Sequence, residues 1–212
     1  MQEQPVETTL YSLSEAPPSP ANRREGERYL TLYRVGSIVI DGRRELCLIK
    51  NISAGGMMIR AYCAVECDTH VSVELKSGYR IEGAVSWVEG SSVGIRFDTE
   101  VDVIDLLSAS MDGPRPRMPR IEVDCIATVR DGSNVFRKRV HDVSQGGIKM
   151  ESATILASGA DVIVSLPGLE AQPGVVRWND DGFTGITFNR LVALPILVGW
   201  LEQQRSAMRA AG

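Results

Sequence analysis

Asn51-Ile52-Ser53-Ala54-Gly55-Gly56 returns later in the chain as Asp142-Val143-Ser144-Gln145-Gly146-Gly147, and each copy closes a strand-like run that begins just after a group of arginines. The two phrases lie 91 positions apart. That spacing persists downstream, where Ala84-Val85-Ser86-Trp87 matches Val175-Val176-Arg177-Trp178 and Gly94-Ile95-Arg96-Phe97 matches Gly185-Ile186-Thr187-Phe188. Upstream it drifts: Asp41-Gly42 matches Asp131-Gly132 at 90 positions, and Arg28 matches Arg120 at 92. Small length changes near turns are what duplicated β modules tolerate, so the chain reads as two copies of one fold.

Within each copy the pattern is β. From Tyr29 onward, runs ending in Ile40, Ile52, Ile59, Leu75, Val88 and Phe97 are separated by turn signals at Asp41-Gly42, Gly55-Gly56, Ser77-Gly78 and Glu89-Gly90. Val85 and Trp87, like Ile95 and Phe97, are two apart, which predicts that each pair faces the core. Residues 99–110 then predict a short helix with Val101, Ile104 and Leu107 on one face. The stretch Met111 to Pro119 holds three prolines and a glycine and reads as a stiff link. The second copy repeats the strand order from Ile121 to Phe188, with turns at Asp131-Gly132, Pro167-Gly168 and Asp180-Asp181-Gly182. A helix follows over about 191–209, with Pro195 in its first turn or at a kink. The expected class is all-β: two tandem six-stranded antiparallel barrels, each followed by a helix. The expected boundaries are a Pro-rich acidic tail over 1–22, expected to be mobile, a first domain over 23–110, a linker over 111–119 and a second domain over 120–212.

Composition narrows the function. With 212 residues, each repeat is large enough to bury a core without a metal or disulfide. The longest apolar run, Leu191 to Leu201, contains Pro195 and is about half the ~20 residues a membrane helix needs, so no membrane insertion is expected. Glu3, Glu7 and Glu15 precede the first basic residue, Arg23, unlike the basic start of a secretory signal; the expected location is the cytoplasm. A net charge of −4 argues against binding a nucleic acid polymer over a broad basic face. Cys63, Cys67 and His70 suggest a metal site, but their positions in the second copy hold Thr154, Ser158 and Asp161. Free thiols and no metal are therefore expected for Cys47, Cys63, Cys67 and Cys125.

Two groups of residues could hold a ligand. Arg23, Arg24 and Arg28 precede the first strand, and Arg43 and Arg44 follow its turn. Guanidinium groups bind oxyanions bidentately, donate to guanine O6 and N7, and stack on bases; the alternative is a solvated run screened by Glu25 and Glu27. Asn51 and Ser53, on alternate strand positions, share one face, and Gly55 and Gly56 would let backbone approach a ligand closely. The alternative is an ordinary turn with a capping amide.

Taken together, Arg-x-x-x-Arg (Arg24, Arg28) followed after one hairpin by Asn-x-Ser-x-x-Gly (Asn51, Ser53, Gly56) resembles the PilZ domain, a bacterial receptor module for cyclic di-GMP. Trp87 and Gly94-Ile95-Arg96-Phe97 fit the end of that barrel, and the resemblance covers residues 23 to about 110 and about 115 to 200. It implies a non-enzymatic receptor with cyclic di-GMP as ligand and no cofactor. Arg24 and Arg28 would grip phosphates and guanine faces, and Asn51, Ser53, Gly55 and Gly56 would line the opposite wall. An arginine just before the pair, here Arg23, is linked in the family with a stacked ligand dimer. Ligand binding would order the Arg23 to Arg28 segment onto the barrel and change the surface that a protein partner sees.

The second copy departs from the pattern. Asp142, Ser144 and Gly147 are complete, but with Arg120 matched to Arg28, the position of Arg24 holds Pro116, flanked by Arg115 and Arg117. A weak or absent second site is expected from Arg117, Arg120, Asp142, Ser144 and Gly147. His141-Asp142-Ser144 invites a catalytic reading, but adjacent strand residues point to opposite faces, which separates His141 from Asp142. The competing function is a ligand-independent adaptor that uses both barrels as interaction surfaces.

Overall fold

Alternating β-branched residues and tight turns close the chain into a barrel twice over. The computed structural model describes residues 28–75, 79–108, 118–152 and 156–211. The first barrel comprises β1 (Arg28–Ile40), β2 (Arg43–Ser53), β3 (Gly56–Ala61), β4 (His70–Glu74), β5 (Arg80–Glu89) and β6 (Ser92–Phe97), and is followed by α1 (Val103–Ser108). The second comprises β7 (Ile121–Asp131), β8 (Asn134–Ser144), β9 (Gly147–Glu151), β10 (Asp161–Ser165), β11 (Gln172–Asp180) and β12 (Phe183–Phe188), and is followed by α2 (Leu194–Ala211). Around the barrels the orders are β1-β2-β3-β6-β5-β4 and β7-β8-β9-β12-β11-β10, both closed and antiparallel. The fold class read from the sequence is the one observed. The 1–22 tail, the Ser77-Gly78 turn and the linker up to Arg117 lie outside the described residues.

Turn chemistry sets the registers. Asp41 (φ 49°) and Gly42 (φ 75°) are both left-handed, which matches the twist of a two-residue hairpin. In the second barrel Asp131 pairs with Asn134, so the turn falls on Gly132 and Ser133, one residue later than the Asp-Gly match suggests. β-Bulges recur at equivalent places: between Ile49 and Asn51 on β2 and between Val140 and Asp142 on β8. They recur again between Val85 and Trp87 on β5 and between Val176 and Trp178 on β11. Each bulge bends its strand and re-aims the side chains that follow.

That bending corrects the expectation for Trp87. Val85 is fully buried and pairs with Ile95, but the bulge turns Trp87 onto the outer face, over Gly94. A Cβ on Gly94 would lie 2.0 Å from Trp87 Nε1, and one on Gly185 would lie 2.2 Å from Trp178 Cε2. The glycine of each Gly-Ile-x-Phe stretch is thus required by the indole packed on it. The expected face of α1 is also corrected. Val103 and Leu106 are buried, whereas Ile104 is 66% exposed, because the helix starts only after Asp102, whose carboxylate accepts from the amides of Ile104 and Asp105 at 2.9 and 3.0 Å. Gly56 is the first residue of β3 rather than part of the turn, which is formed by Ala54 and Gly55. Pro195 sits in the first turn of α2, as expected.

The barrels meet through β2. Cys47 and Ile49 face their own core, and burial pushes the Cys47 thiol up to about 12. Leu46 points the other way and is buried in the second barrel's cluster, with Val35, Leu48 and Tyr62 packed at its edge. From α2, Arg205 Nη1 contacts the Glu45 carboxylate at 2.6 Å, and Trp200 Nε1 donates to the Pro167 carbonyl at 2.8 Å. A side chain shared between two cores makes their stabilities interdependent. Leu46→Ala should therefore cost about 2–4 kcal/mol in urea unfolding and split a single transition into two; an unchanged transition would show that the barrels do not rely on this contact.

Candidate ligand-binding site

The repeated phrase forms the same turn in both barrels. Ser53 Oγ donates to the Gly56 carbonyl at 3.1 Å, and Ser144 Oγ donates to the Gly147 carbonyl at 3.3 Å. The Gly55 carbonyl accepts from the Phe97 amide at 3.0 Å and the Ala54 carbonyl from the Val101 amide at 2.9 Å. In the second barrel Gly146 and Gln145 receive Phe188 and Val192 in the same way, both at 2.9 Å. The last glycine of the phrase answers to the barrel itself. A Cβ on Gly56 would lie 2.5 Å from the Ile95 carbonyl oxygen, and one on Gly147 would lie 2.1 Å from that of Ile186. The close approach expected between glycine and ligand is, at Gly56, an approach between β3 and β6.

On the outer face of the second barrel, the phrase borders a cavity of about 870 Å³. Arg120, Asp142 and Ser144, all expected from the sequence, line it together with Lys149, Trp178 and Thr187. Gly147 forms the pairing between β8, β9 and β12 beside it, and Arg117 lies outside the described residues. Arg120 Nη1 meets Asp142 Oδ1 at 2.5 Å, and the Asp142 side chain is only 13% exposed. A short charge-assisted contact to a largely buried carboxylate holds that guanidinium in place. Lys149 Nζ lies 3.9 Å from the centre of the Phe183 ring. Trp178 and Lys149 were not singled out as site residues from the sequence. The Trp and Gly repeated together were the available signal, but period-2 alternation places the Trp inside.

The alternation argument also fails at His141. The bulge between Val140 and Asp142 brings His141 Nδ1 to 3.4 Å from Asp142 Oδ2 on an exposed surface, so the two share one side after all. The ring meets Phe183 edge-on at 5.4 Å, while Ser144 Oγ is engaged with the Gly147 carbonyl. The arrangement lacks a free nucleophile beside the imidazole.

In the first barrel, Arg23 and Arg24 lie outside the described residues. Arg28 opens β1, with its backbone paired opposite Ser53. Arg120, one residue before the Ile121 and Val143 pair, holds the matching register position in the second barrel. Asn51 and Ser53, both half-buried, flank the core residue Ile52 on one face, as expected. Matched by the repeat to the second barrel's cavity lining, the first barrel has Asn51 for Asp142, Met58 for Lys149, Trp87 for Trp178 and Arg96 for Thr187.

Among the described residues no group of three or more His, Cys, Asp or Glu side chains could hold a metal ion, and no helix is long and apolar enough to cross a membrane. His70 Nε2 contacts Asp98 Oδ2 at 2.8 Å, and this hydrogen bond raises its pKa above 6.5. His70 therefore keeps its proton to higher pH than a free histidine. Asp98→Asn should move the midpoint of the His70 ring-proton NMR titration downward toward 6.5; an unmoved midpoint would show that Asp98 is not the cause.

A family model described as PilZ domain matches residues 22–110 and again 114–193. No curated protein matches the chain at a significant level. Among solved structures it is similar to Borreliella burgdorferi PlzA in complex with c-di-GMP, at 14% identity over 84% of this chain and 93% of that one, with a TM-score of 0.35. It is also similar to the Bacillus subtilis inhibitor of motility MotI, at 14% identity, 86% and 98% coverage and a TM-score of 0.33. Escherichia coli YcgR in complex with c-di-GMP follows at 12% identity, 84% and 87% coverage and a TM-score of 0.32. TM-scores this low carry no weight for function. The two matched segments cover most of the chain and coincide with the two barrels: the protein belongs to the PilZ domain family and carries the domain twice.

Proposed function

We propose that the chain is a cyclic di-GMP receptor whose ligand binds on the outer face of the first barrel, held by Arg23, Arg24, Arg28, Asn51 and Ser53. Membership of the PilZ family supports cyclic di-GMP as the ligand class. One contrast supports the choice of barrel: Arg120 of the second barrel is ion-paired with Asp142, whereas the matched position in the first barrel holds the neutral amide of Asn51. A guanidinium that is not already paired with a carboxylate leaves its positive field uncompensated for a phosphate. The second cavity is lined by two cations, Arg120 and Lys149, against two anions, Asp142 and Asp180. The matched positions of the first barrel hold Arg28 and Arg96 against Glu89 and Glu100, and two further arginines, Arg23 and Arg24, lie just upstream.

The ligand's two phosphodiesters call for several guanidinium groups, and its guanines call for donors and a flat surface, which Trp87 can supply. Arg24 lies four positions before Arg28, so it can reach up to roughly 14 Å from the start of β1. In this reading, binding draws the 23–28 segment against the barrel, and a protein partner senses the rearranged surface. The domains run over 23–110 and 120–212 with a linker over 111–119. No catalytic step is required, the cytoplasm is the expected location, and a net charge of −4 makes a nucleic acid polymer a poor partner. The Arg120 and Asp142 pair favours a ligand-independent role for the second barrel as an interaction surface.

Calorimetric titration of the full chain with cyclic di-GMP tests the proposal. Arg24→Ala and Arg28→Ala should each lose about 1.5 kcal/mol or more of binding free energy, because a charge-assisted contact disappears. Arg120→Ala should leave the affinity unchanged. Absence of binding at tens of micromolar ligand would sink the proposal, as would indifference to both first-barrel substitutions.

A further inference from the structure

Pairing across the first barrel places four residues in one transverse row. Arg28 of β1 lies opposite Ser53 of β2, Ser53 opposite Gly56 of β3, and Gly56 opposite Arg96 of β6. Directly paired residues of an antiparallel sheet share a face. For Ser53, Gly56 and Arg96 it is the outer face, since Ile52, Met57 and Ile95 beside them point into the core and Arg96 itself is exposed. Three strand spacings, roughly 14 Å, separate the two arginine positions. Between them Gly56 has no side chain, and the Ser53 hydroxyl is folded back onto the Gly56 carbonyl. The row is therefore low at its middle, with Arg96 exposed at its β6 end and the backbone of Arg28 paired at its β1 end.

The second barrel shows which way the β6 position faces. There Thr187 pairs with Gly147 as Arg96 pairs with Gly56, and Thr187 lines the same cavity as Arg120, Asp142 and Trp178. In the first barrel the adjoining wall carries Trp87, seated over Gly94 two residues before Arg96. Among the described residues Arg96 forms no ion pair, and Asp98, two positions further along the chain, is held by His70.

We infer that Arg96 is a further arginine of the first barrel's ligand site, gripping the nucleotide from the β6 side of the row; this rests on the receptor reading above. The anionic ligand lies over Gly56, with Arg96 donating to a phosphate oxygen or a guanine acceptor edge beside the Trp87 ring. The second barrel, with Thr187 in this place, lacks that grip as well as the upstream pair.

Calorimetric titration of the full chain with cyclic di-GMP, run with a thermal melt of each variant, decides the matter. Arg96→Thr, which installs the second barrel's residue, should weaken binding about tenfold with an unchanged melting temperature. Arg96→Lys should recover only part of the loss, since it keeps the charge but not the planar fork. Wild-type affinity in Arg96→Thr overturns the inference while leaving the receptor reading intact, and absence of binding by the wild-type chain overturns both. Should Arg96→Thr fail to fold, Arg96→Lys carries the test, and wild-type affinity there overturns the inference.

Discussion

Each barrel is held shut by the contact between a glycine on its third strand and the backbone of its sixth. Gly56 against the Ile95 carbonyl and Gly147 against that of Ile186 leave no room for a side chain. The turn just before each glycine then offers two carbonyls to the chain leaving the sixth strand. Closure and the exit toward the following helix therefore depend on one six-residue phrase. Its conservation between the two halves of this chain follows from the barrel's needs, whether or not either copy holds a ligand.

This separates fold from function within a single motif. Serine and the second glycine serve the turn and the closure in both copies, with matching hydrogen bonds. What differs is the first residue of the phrase and the residues brought alongside it. Asp142 neutralises Arg120 within the second barrel. Asn51 offers the first barrel no such carboxylate, and Met58 and Arg96 replace Lys149 and Thr187 on the adjoining strands. The second copy looks the fuller motif in letters, and its aspartate is what engages its arginine.

The repeat made the architecture legible. Turn residues and alternation located the strands closely because tight hairpins and a one-sided core leave little freedom of register. Bulges were not legible, since an extra residue leaves no mark in a pattern of period two. They account for the misplacement of Trp87 and for the proximity of His141 to Asp142. The α1 face was misread because the helix starts after its Asp102 cap, which rotates the apolar stripe from Ile104 to Val103 and Leu106. The interface between barrels had a trace in the unbroken apolar run from Leu46 to Ile49, the mark of a strand buried on both faces. Which surface would cover Leu46 depends on the path of the linker and of α2, which local pattern does not encode.

The central claim is that nucleotide occupies the first barrel and not the second. A crystal structure of the full chain grown with saturating cyclic di-GMP tests it most directly. The account predicts ligand density over Gly56, between the 23–28 segment and Arg96, with the Arg120 and Asp142 pair intact in an empty second cavity. Density in the cavity beside Trp178 with the first barrel vacant would contradict it.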